Sequence, residues 1–472
     1  MVIQGKTPLV SAVMSPRDAA QEKRTRMILE GPIGLGVLFI ALPSVATMLL
    51  HTINGFLDRF FVSGLGTPAM AAVSICTTLI FTVGSVSMAI STAASALIAR
   101  AVGAGDIDEA RNALRYCLTL MLILAVAIDI GLIVLAEPLL RMQGLRGASL
   151  AAGKQYLLFA GIGIPFGFMM FVQAGAFRGL GDTVRPLYVT IGSIVVHAAL
   201  NAVLIPGHLG FPKLGVVGGA LAYSCSVIVA TALQYFFLRG SVLQEGLKIT
   251  TLRIPKDWLQ RINRIAVPAG GQQLLRTSSM LFLQGILANK SGEIAVAALG
   301  VGLVAESIAF MPGFAYSIAA TAFVGQNLGA QNAKRATAAG WMAMWQAVGV
   351  MSVMGIVFVI LARPFAEQFA SGADRDALIN MVVTYLQIAL ISEPFLAVAM
   401  VLSGALQGAG DTRDPTIAVA VTNFGVRLPL AYVFLVMFGT TGCWWAMTLS
   451  TMLQGLVVAW MYQRGHWKRL HI

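Results

Sequence analysis

Long apolar stretches alternate with short polar segments along almost the whole chain. Each stretch continues for about 20 residues or more, the length at which an α-helix crosses the hydrocarbon core of a bilayer. The pattern therefore predicts an all-α polytopic membrane protein with twelve spanning helices. The predicted spans are 34–62, 68–99, 113–136, 152–177, 185–206, 214–238, 264–288, 294–325, 336–362, 379–406, 414–438 and 442–463.

Composition and charge indicate how the chain sits in the membrane. Of its 472 residues, 57% are hydrophobic and 11% are charged, against about 25% charged in a typical soluble domain. The loops on the side of the N-terminus and their flanks hold 22 Lys and Arg residues, and those on the opposite side hold seven. This asymmetry places both termini in the cytoplasm. Insertion and contact with anionic lipid account for the net charge of +12, so no nucleic-acid partner is expected.

A Gly-rich phrase occurs twice. "GAFRGLGDTVRP" occupies residues 175–186, "GALQGAGDTRDP" occupies residues 404–415, and seven of the twelve positions match. Duplication of a six-helix unit explains the repeat, and because six is even, two similar lobes should be related by an axis along the membrane normal. The predicted division is a cytoplasmic N-terminal tail (1–30), an N-lobe (31–240), a cytoplasmic linker (241–262), a C-lobe (263–464) and a cytoplasmic C-terminal tail (465–472).

The repeated phrase is interpreted mainly as a structural turn at the end of the fourth span of each half. Its glycines permit a tight turn. Asp182 or Asp411, with the threonine that follows, can cap the next helix, and Pro186 or Pro415 opens that helix.

These phrases carry a resemblance to a known family. Together with "HTINGFLDRFFVSGLGTPAMAAVS" in the first span and "ARAVGAGD" after the second, they resemble the multidrug and toxic compound extrusion (MATE) family over residues 30–464. The resemblance implies the fold of the MOP superfamily, with two six-helix lobes around a central cleft. It also implies a bacterial inner-membrane antiporter that exports organic, often cationic compounds against inflow of H⁺ or Na⁺.

Asp58 is the strongest candidate for a coupling residue, because an ionisable group inside a membrane is costly and is usually functional. Two polar stripes at helical spacing should meet around it. Shielding from water favours the protonated carboxyl group, whereas the surrounding oxygens suit Na⁺, so the coupling ion stays open. The alternative is that Asp58 only pairs with Arg59 near the lipid headgroups. The stripes are Thr47, His51, Asn54 and Asp58 in span one, and Ser193, His197 and Asn201 in span five.

The resemblance adds roles to this region. It implies that Asp58 is the coupling carboxylate and that Pro43 is a hinge in span one, where a proline removes one helical hydrogen bond. Some members carry an Asn and an Asp in span five where this chain has His197 and Asn201. The N-lobe site therefore has fewer charges with which to bind a cation.

Four charged residues of the C-lobe should lie near the membrane midplane, counting about 1.5 Å per residue. They are expected either to neutralise one another as a packing network or to contact substrate or a coupling ion, with the glutamates favoured for the second role. Some relatives have an acidic cation ligand where Arg276 stands, which makes a cation site in this lobe doubtful. Residues expected to line the cleft are His51, Gln173, Gln272, Arg276, Glu306, Glu393 and Arg427.

Other chemistry receives little support. No phosphate-binding loop ending in Gly-Lys-Ser/Thr is present, and no catalytic His/Asp or Ser/His constellation favours an enzyme or a scaffold. His208, His466 and His471 lack metal-ligand spacing. We therefore expect a monomeric transporter without cofactor or bound metal, apart from Na⁺ at Asp58 if that ion is used. Its expected partners are small cationic or amphipathic organic substrates and the lipid bilayer.

The alternative transport function is a flippase or exporter of lipid-linked or anionic cargo from the same superfamily. Arg276 and Arg427 at mid-membrane favour it. Twelve spans in place of fourteen, and glutamates available to pair with both arginines, count against it.

Overall fold

The computed structural model describes residues 16–249, 251–370 and 374–470, and these form an all-α membrane protein. The first half comprises helices α1 (Pro16–Leu29), α2 (Ile33–Ser63), α3 (Thr67–Gly103), α4 (Ile107–Val134), α5 (Ala136–Met142), α6 (Gly147–Gly161), α7 (Ile164–Gly179), α8 (Val184–Leu204) and α9 (Val216–Arg239). A 3₁₀ turn (Gln244–Leu247) follows α9.

The second half repeats this order of spans, and short 3₁₀ and π segments join several of its helices. It comprises α10 (Lys256–Gly329), α11 (Ala333–Ile360), α12 (Ala362–Glu367), α13 (Arg375–Ala389), α14 (Glu393–Gly408), α15 (Arg413–Ala420) and α16 (Leu428–Arg464). A 3₁₀ turn (Leu390–Ser392) joins α13 to α14, a π-helix (Val421–Arg427) joins α15 to α16, and a 3₁₀ turn (His466–Arg469) ends the described chain.

The prediction of twelve spans is confirmed within the described residues. Nine helical segments are long and apolar enough to cross a membrane, and α6 with α7, bent by 52°, makes a tenth. Two of these segments are interrupted at a glycine with positive φ, Gly292 in α10 and Gly439 in α16. Glycine adopts this conformation readily, so each of these two positions breaks the helix between two apolar stretches. Each of the two segments therefore contains two crossings, which raises the count from ten to twelve.

The first span of each half begins in the hydrophobic core of the other half. Val37 and Ile40 of α2 pack in a core formed mainly by α10, α11 and α14. Ile262 and Ile265 of α10 pack in the N-lobe core with α3, α4 and α7. The packing therefore crosses between the two predicted lobes near the starts of α2 and α10.

The repeated phrase forms the expected turn in both halves. Gly181 and Gly410 have φ values of +71° and +84°, in the region that favours glycine. Asp182 Oδ1 accepts a hydrogen bond from the backbone N–H of Arg185 at 3.2 Å, and Asp411 Oδ1 accepts one from that of Asp414 at 3.1 Å. The two aspartates thus cap α8 and α15 as predicted.

The threonines of the phrase do not cap these helices. Thr183 Oγ1 donates to Ile40 O at 2.9 Å, and Thr412 Oγ1 donates to Ile265 O at 2.9 Å. Each acceptor lies three residues before the proline of its span, Pro43 or Pro268. The turn is therefore tied to the first span of its own half, next to the proline.

The N-terminal segment expected as a polar tail includes a helix that packs on the bundle. In α1, Gln21 Nε2 donates to Leu180 O at 3.1 Å, and Arg24 Nη1 lies 2.8 Å from Asp182 Oδ2. The last described residues lie on the same face, since Arg100 Nη1 donates to Leu470 O at 2.8 Å. We call this the terminal face. Lys6 and His471 lie outside the described residues.

Candidate functional site

The polar stripes of α2 and α8 meet in the N-lobe. Asn201 Nδ2 donates to Asp58 Oδ1 at 3.2 Å, and one turn away His197 Nδ1 lies 3.2 Å from Asn54 Oδ1. His197 Nε2 lies 3.4 Å from the same oxygen of Asp58. Two residues four positions apart on each helix thus form two facing rungs, because residues i and i+4 project from one helix face. The structure thus brings together four of the seven residues of the two stripes, Asn54, Asp58, His197 and Asn201.

The geometry of His197 calls for a proton between it and Asp58. In this orientation of the Asn54 amide, Nδ1 of the imidazole donates to Oδ1, so a neutral ring presents a lone pair at Nε2. A lone pair facing a carboxylate oxygen is repulsive. The contact becomes attractive when the proton resides either on Nε2, as imidazolium beside carboxylate, or on Asp58, as a carboxylic acid donating to Nε2. The pair can therefore hold one proton in two ways.

Burial distinguishes the members of this cluster. The side chain of His197 is 7% exposed, whereas that of Asp58 is 38% exposed, so the carboxylate is accessible from outside the protein core. Arg59 is exposed and forms no ion pair with Asp58 within the described residues. The alternative interpretation, in which Asp58 only pairs with Arg59 near the lipid headgroups, therefore has no such pair behind it in the described chain.

The remaining residues of the stripes lie at the margin of the cluster. Thr47 Oγ1 donates to Pro43 O at 2.8 Å, inside its own helix. Ser193 Oγ donates to Ser226 O of α9 at 3.2 Å and does not face α2. His51 is exposed. The stripe in span five is thus reduced to His197 and Asn201.

Sequence reasoning missed an aromatic neighbour of the cluster. Tyr156 of α6 is 4% exposed and lies within electrostatic range of Asp58. Nothing in the spacing of α6 pairs it with α2, because the contact depends on how the helices pack. Gln173 of α7, expected at the cleft, is 3% exposed, and its buried Oε1 has no hydrogen-bond partner among the described residues.

The four charged residues of the C-lobe lie in one region without pairing directly. Arg427 Nε donates to Ser450 Oγ at 2.8 Å, and its Nη2 donates to Thr451 Oγ1 at 3.0 Å. No carboxylate lies within 4.0 Å of Arg276 or Arg427 in the described chain. The expected network of mutually neutralising ion pairs is therefore not formed among the described residues, and hydroxyl groups occupy two of the nitrogens of Arg427.

The two glutamates line a small, partly open pocket with apolar neighbours from α10, α11 and α13. Glu306 lies beside the hydroxyl group of Tyr385 and within electrostatic range of Arg427. Glu393 is 4% exposed, and its Oε2 has no described hydrogen-bond partner. Gln272, expected at the cleft, accepts a hydrogen bond from Gln407 at 3.2 Å. The C-lobe thus has a half-buried polar region in which the two glutamates and two arginines form no direct ion pair among the described residues.

Two duplicated six-helix lobes with a hydrogen-bonded carboxylate in the first span define an architecture of polytopic membrane transporters. The MatE family model matches residues 43–203 and 268–433, one match in each half. The chain therefore belongs to the MATE family. Members of this family are transporters, and the protein is a multi-pass membrane transporter and not an enzyme.

Relatives extend over nearly the whole chain. A probable multidrug resistance protein NorM of Thermotoga maritima is 27% identical over 439 residues, covering 91% of this chain and 92% of that protein. An FAD transporter of Shewanella oneidensis is 26% identical over 440 residues, covering 93% and 96%. A solved MOP superfamily transporter from Pyrococcus furiosus is 22% identical with a TM-score of 0.83, covering 93% and 97%. This last likeness shows the fold.

Proposed function

We propose that the protein is a proton-coupled exporter of organic cationic or amphipathic compounds in a bacterial inner membrane, with its terminal face in the cytoplasm. Asp58 and His197 carry the coupling proton, and the two lobes alternate between inward-open and outward-open states. The name of the Thermotoga maritima relative supports drugs as substrates. The excess of Lys and Arg beside the loops of the terminal face supports the orientation.

One observation carries the choice of ion. Asp58 Oδ1 faces His197 Nε2 at 3.4 Å while Asn54 Oδ1 occupies the other ring nitrogen. A hard cation such as Na⁺ prefers several oxygen ligands, and an imidazole ring directed at the carboxylate takes the place of one. The same arrangement suits a proton, which needs only one donor and one acceptor.

Proton coupling predicts opposite responses to two gradients. In proteoliposomes containing the full chain, a pH gradient should drive movement of a fluorescent cationic dye, and a Na⁺ gradient at equal pH should not. Asp58→Asn should abolish the response to the pH gradient, because an amide neither accepts nor releases the proton at this position. His197→Gln should retain transport but displace its pH profile, since His197 positions and shares the proton. Dye fluorescence and internal pH report both effects.

His208→Gln is the matched control, since His208 is an exposed histidine whose Nδ1 contacts Ala202 O in the last turn of α8. It should transport like the unmodified protein. Dye movement driven by Na⁺ at equal pH would assign the site to Na⁺. Full transport by Asp58→Asn would remove Asp58 from coupling, whichever ion is used.

Export of anionic cargo is the second candidate. No carboxylate of the described chain lies within 4.0 Å of Arg276 or Arg427, and Glu306 acts on Arg427 only from a longer distance. Positive charge in the C-lobe is therefore available for an anion. The named substrate of the Shewanella oneidensis relative is consistent with such cargo.

Replacement of Arg427 separates the two candidates. For a cation exporter, Arg427→Gln should leave dye transport within a few-fold of normal, because Arg427 lies in the C-lobe and the proposed coupling residues lie in the N-lobe. For an anion exporter, the same change should abolish transport of an anionic dinucleotide such as FAD, measured by its fluorescence in proteoliposomes. Absence of FAD transport by the unmodified protein would exclude that compound as cargo.

A further inference from the structure

The two copies of the repeated turn have different electrostatic surroundings. In the N-lobe, Asp182 Oδ2 lies 2.8 Å from Arg24 Nη1 and 3.5 Å from Arg185 Nε, so two guanidinium groups neutralise this fully buried carboxylate. Asp411, its counterpart in the C-lobe, is 5% exposed, and its Oδ2 has no hydrogen-bond partner among the described residues. No cationic side chain lies within 4.0 Å of Asp411 in the part of the chain that the structure describes. A buried negative charge thus lacks the cation that its counterpart has.

Two further ligating groups converge on Asp411. Asp414 lies in the first turn of α15, at the position that Arg185 has in the N-lobe copy of the turn. His466 begins the last 3₁₀ turn. One ligating atom from each of the three side chains lies within 4.8 Å of the other two. Asp414 is half-buried and His466 is exposed, so an ion can reach the cluster from the water on the terminal face.

The burial of Asp411 agrees with a missing cation, because an ionised carboxylate away from water is costly unless it is paired. A bound cation would stabilise the ionised form and remove the cost of burying its charge.

The donor set indicates the kind of cation. Two carboxylates balance a divalent charge, and an imidazole favours transition metals over Mg²⁺ or Ca²⁺. Ligands about 2.0–2.2 Å from a zinc ion are separated from one another by at most about 4 Å, so small side-chain rotations suffice to close the observed spacing. Water can complete the coordination on the exposed side of His466.

We propose that Asp411, Asp414 and His466 bind one divalent transition-metal ion, of the kind represented by Zn²⁺ and Mn²⁺, on the terminal face. This site is separate from the Asp58 cluster and does not depend on the proposed function. The sequence did not predict it, because His466 lies more than fifty residues after the two aspartates and is brought to them only by the packing of α16.

The position of the site gives the ion a structural effect. His466 begins a short segment in which Trp467 stacks on Tyr462 at a centroid distance of 4.7 Å. Leu470 O, at the end of that segment, accepts a hydrogen bond from Arg100 of the N-lobe. An ion that joins His466 to the α14–α15 turn would hold the first residue of this segment, while Arg100 holds its end. The ion would thereby strengthen the contact of this segment with the N-lobe.

The test uses the full chain purified in detergent with an affinity tag that contains no histidine and stripped of metal with a chelator. Calorimetric titration with Zn²⁺ should show one ion bound per chain, and titration with Mn²⁺ should give the same stoichiometry by electron paramagnetic resonance. Residues that merely support metal ligands change affinity about 10–100-fold when replaced. Loss of a ligand in His466→Ala or Asp414→Asn should therefore weaken binding at least ten-fold. Zn²⁺ should raise the Tm of the unmodified protein but not that of either variant.

His208→Ala is the matched control, since it removes an exposed histidine on the other side of the membrane from the site, and it should bind Zn²⁺ normally. Both test variants change side chains that are not fully buried, and an unaltered elution profile and metal-free Tm would show that they fold. No binding of Zn²⁺ or Mn²⁺, or equal binding by His466→Ala and the unmodified protein, would overturn the proposal. A pH-dependent Tm that disappears in His466→Ala, without any effect of metal, would identify the cluster as an ion pair and would also overturn it.

Discussion

At the scale of single residues, the hydroxyl groups of Thr183 and Thr412 connect the repeated turns to the proline-containing spans. A proline has no N–H, so one carbonyl group in the preceding helical turn loses its partner and the helix is weakened there. Each threonine donates to a carbonyl oxygen three residues before that proline. The threonine therefore adds a hydrogen bond beside the weakest point of the helix. A displacement of the turn would break this bond or move the helix at Pro43 or Pro268.

Removing either hydroxyl group should lower stability. Thr183→Val and Thr412→Val keep the shape of the side chain but delete a hydrogen bond between segments, which contributes about 0.5–1.5 kcal/mol. The Tm of each variant in detergent should fall measurably. Thr190→Val is the control, because Thr190 Oγ1 donates to Pro186 O within its own helix. Equal Tm values for the Thr183 and Thr190 variants would contradict the interpretation.

At the scale of helices, α3 and α10 cross so closely at the terminal face that side chains are excluded. A Cβ atom on Gly103 would lie 1.9 Å from Gln326 O, and one on Gly329 would lie 2.0 Å from Arg100 O. The two glycines occupy corresponding positions of "ARAVGAGDIDEA" and "GQNLGAQNAKRA". Gln326 Nε2 also donates to Gly179 O across the lobes at 2.9 Å. In this structure the lobes are therefore closed against each other at the terminal face.

Helix-level features were predictable because they depend on local sequence. Apolar length gave the spans, the repeat gave the two halves, and the four-residue spacings of Asn54 and Asp58, and of His197 and Asn201, gave two faces that proved to meet. The hydroxyl partners of Arg427 and the placement of His466 beside Asp411 were not predictable. They depend on the π-helix before α16 and on packing between segments distant in sequence, which no local periodicity reports.

At the scale of the whole molecule, two arginines hold the closed face through reciprocal contacts. Arg100 of the N-lobe donates to Ala409 O and Leu470 O of the C-lobe. Arg335 of the C-lobe donates to Ile28 O and Gly31 O, at the end of α1. Carbonyl groups at helix ends lack helical partners and carry partial negative charge. Each lobe thus supplies a guanidinium group to carbonyl groups that follow a helix of the other half.

Neutralising these arginines should open the terminal face. A hydrogen bond to a charged group contributes about 1.5–3 kcal/mol, and about 1.4 kcal/mol changes an equilibrium ten-fold. Arg100→Gln and Arg335→Gln should therefore each raise the ratio of open to closed molecules about ten-fold or more. Spin labels at Asp108→Cys and Lys334→Cys, both exposed on this face in opposite lobes, would report the opening as a longer distance in double electron–electron resonance. The labels require a background without the four native cysteines.

The matched control lies on the opposite side of the membrane. Arg141 forms an exposed ion pair with Glu137 inside α5, so Arg141→Gln removes the same charge without touching the contact between the lobes. Its distance distribution should equal that of the labelled parent. If Arg100→Gln and Arg335→Gln also leave the distribution unchanged, the closed state does not depend on them, and the glycine-mediated contact of α3 with α10 suffices to hold the face shut. If only the double variant opens, either arginine alone holds the two lobes together, as expected for duplicated contacts on the two sides of one pseudo-symmetric interface.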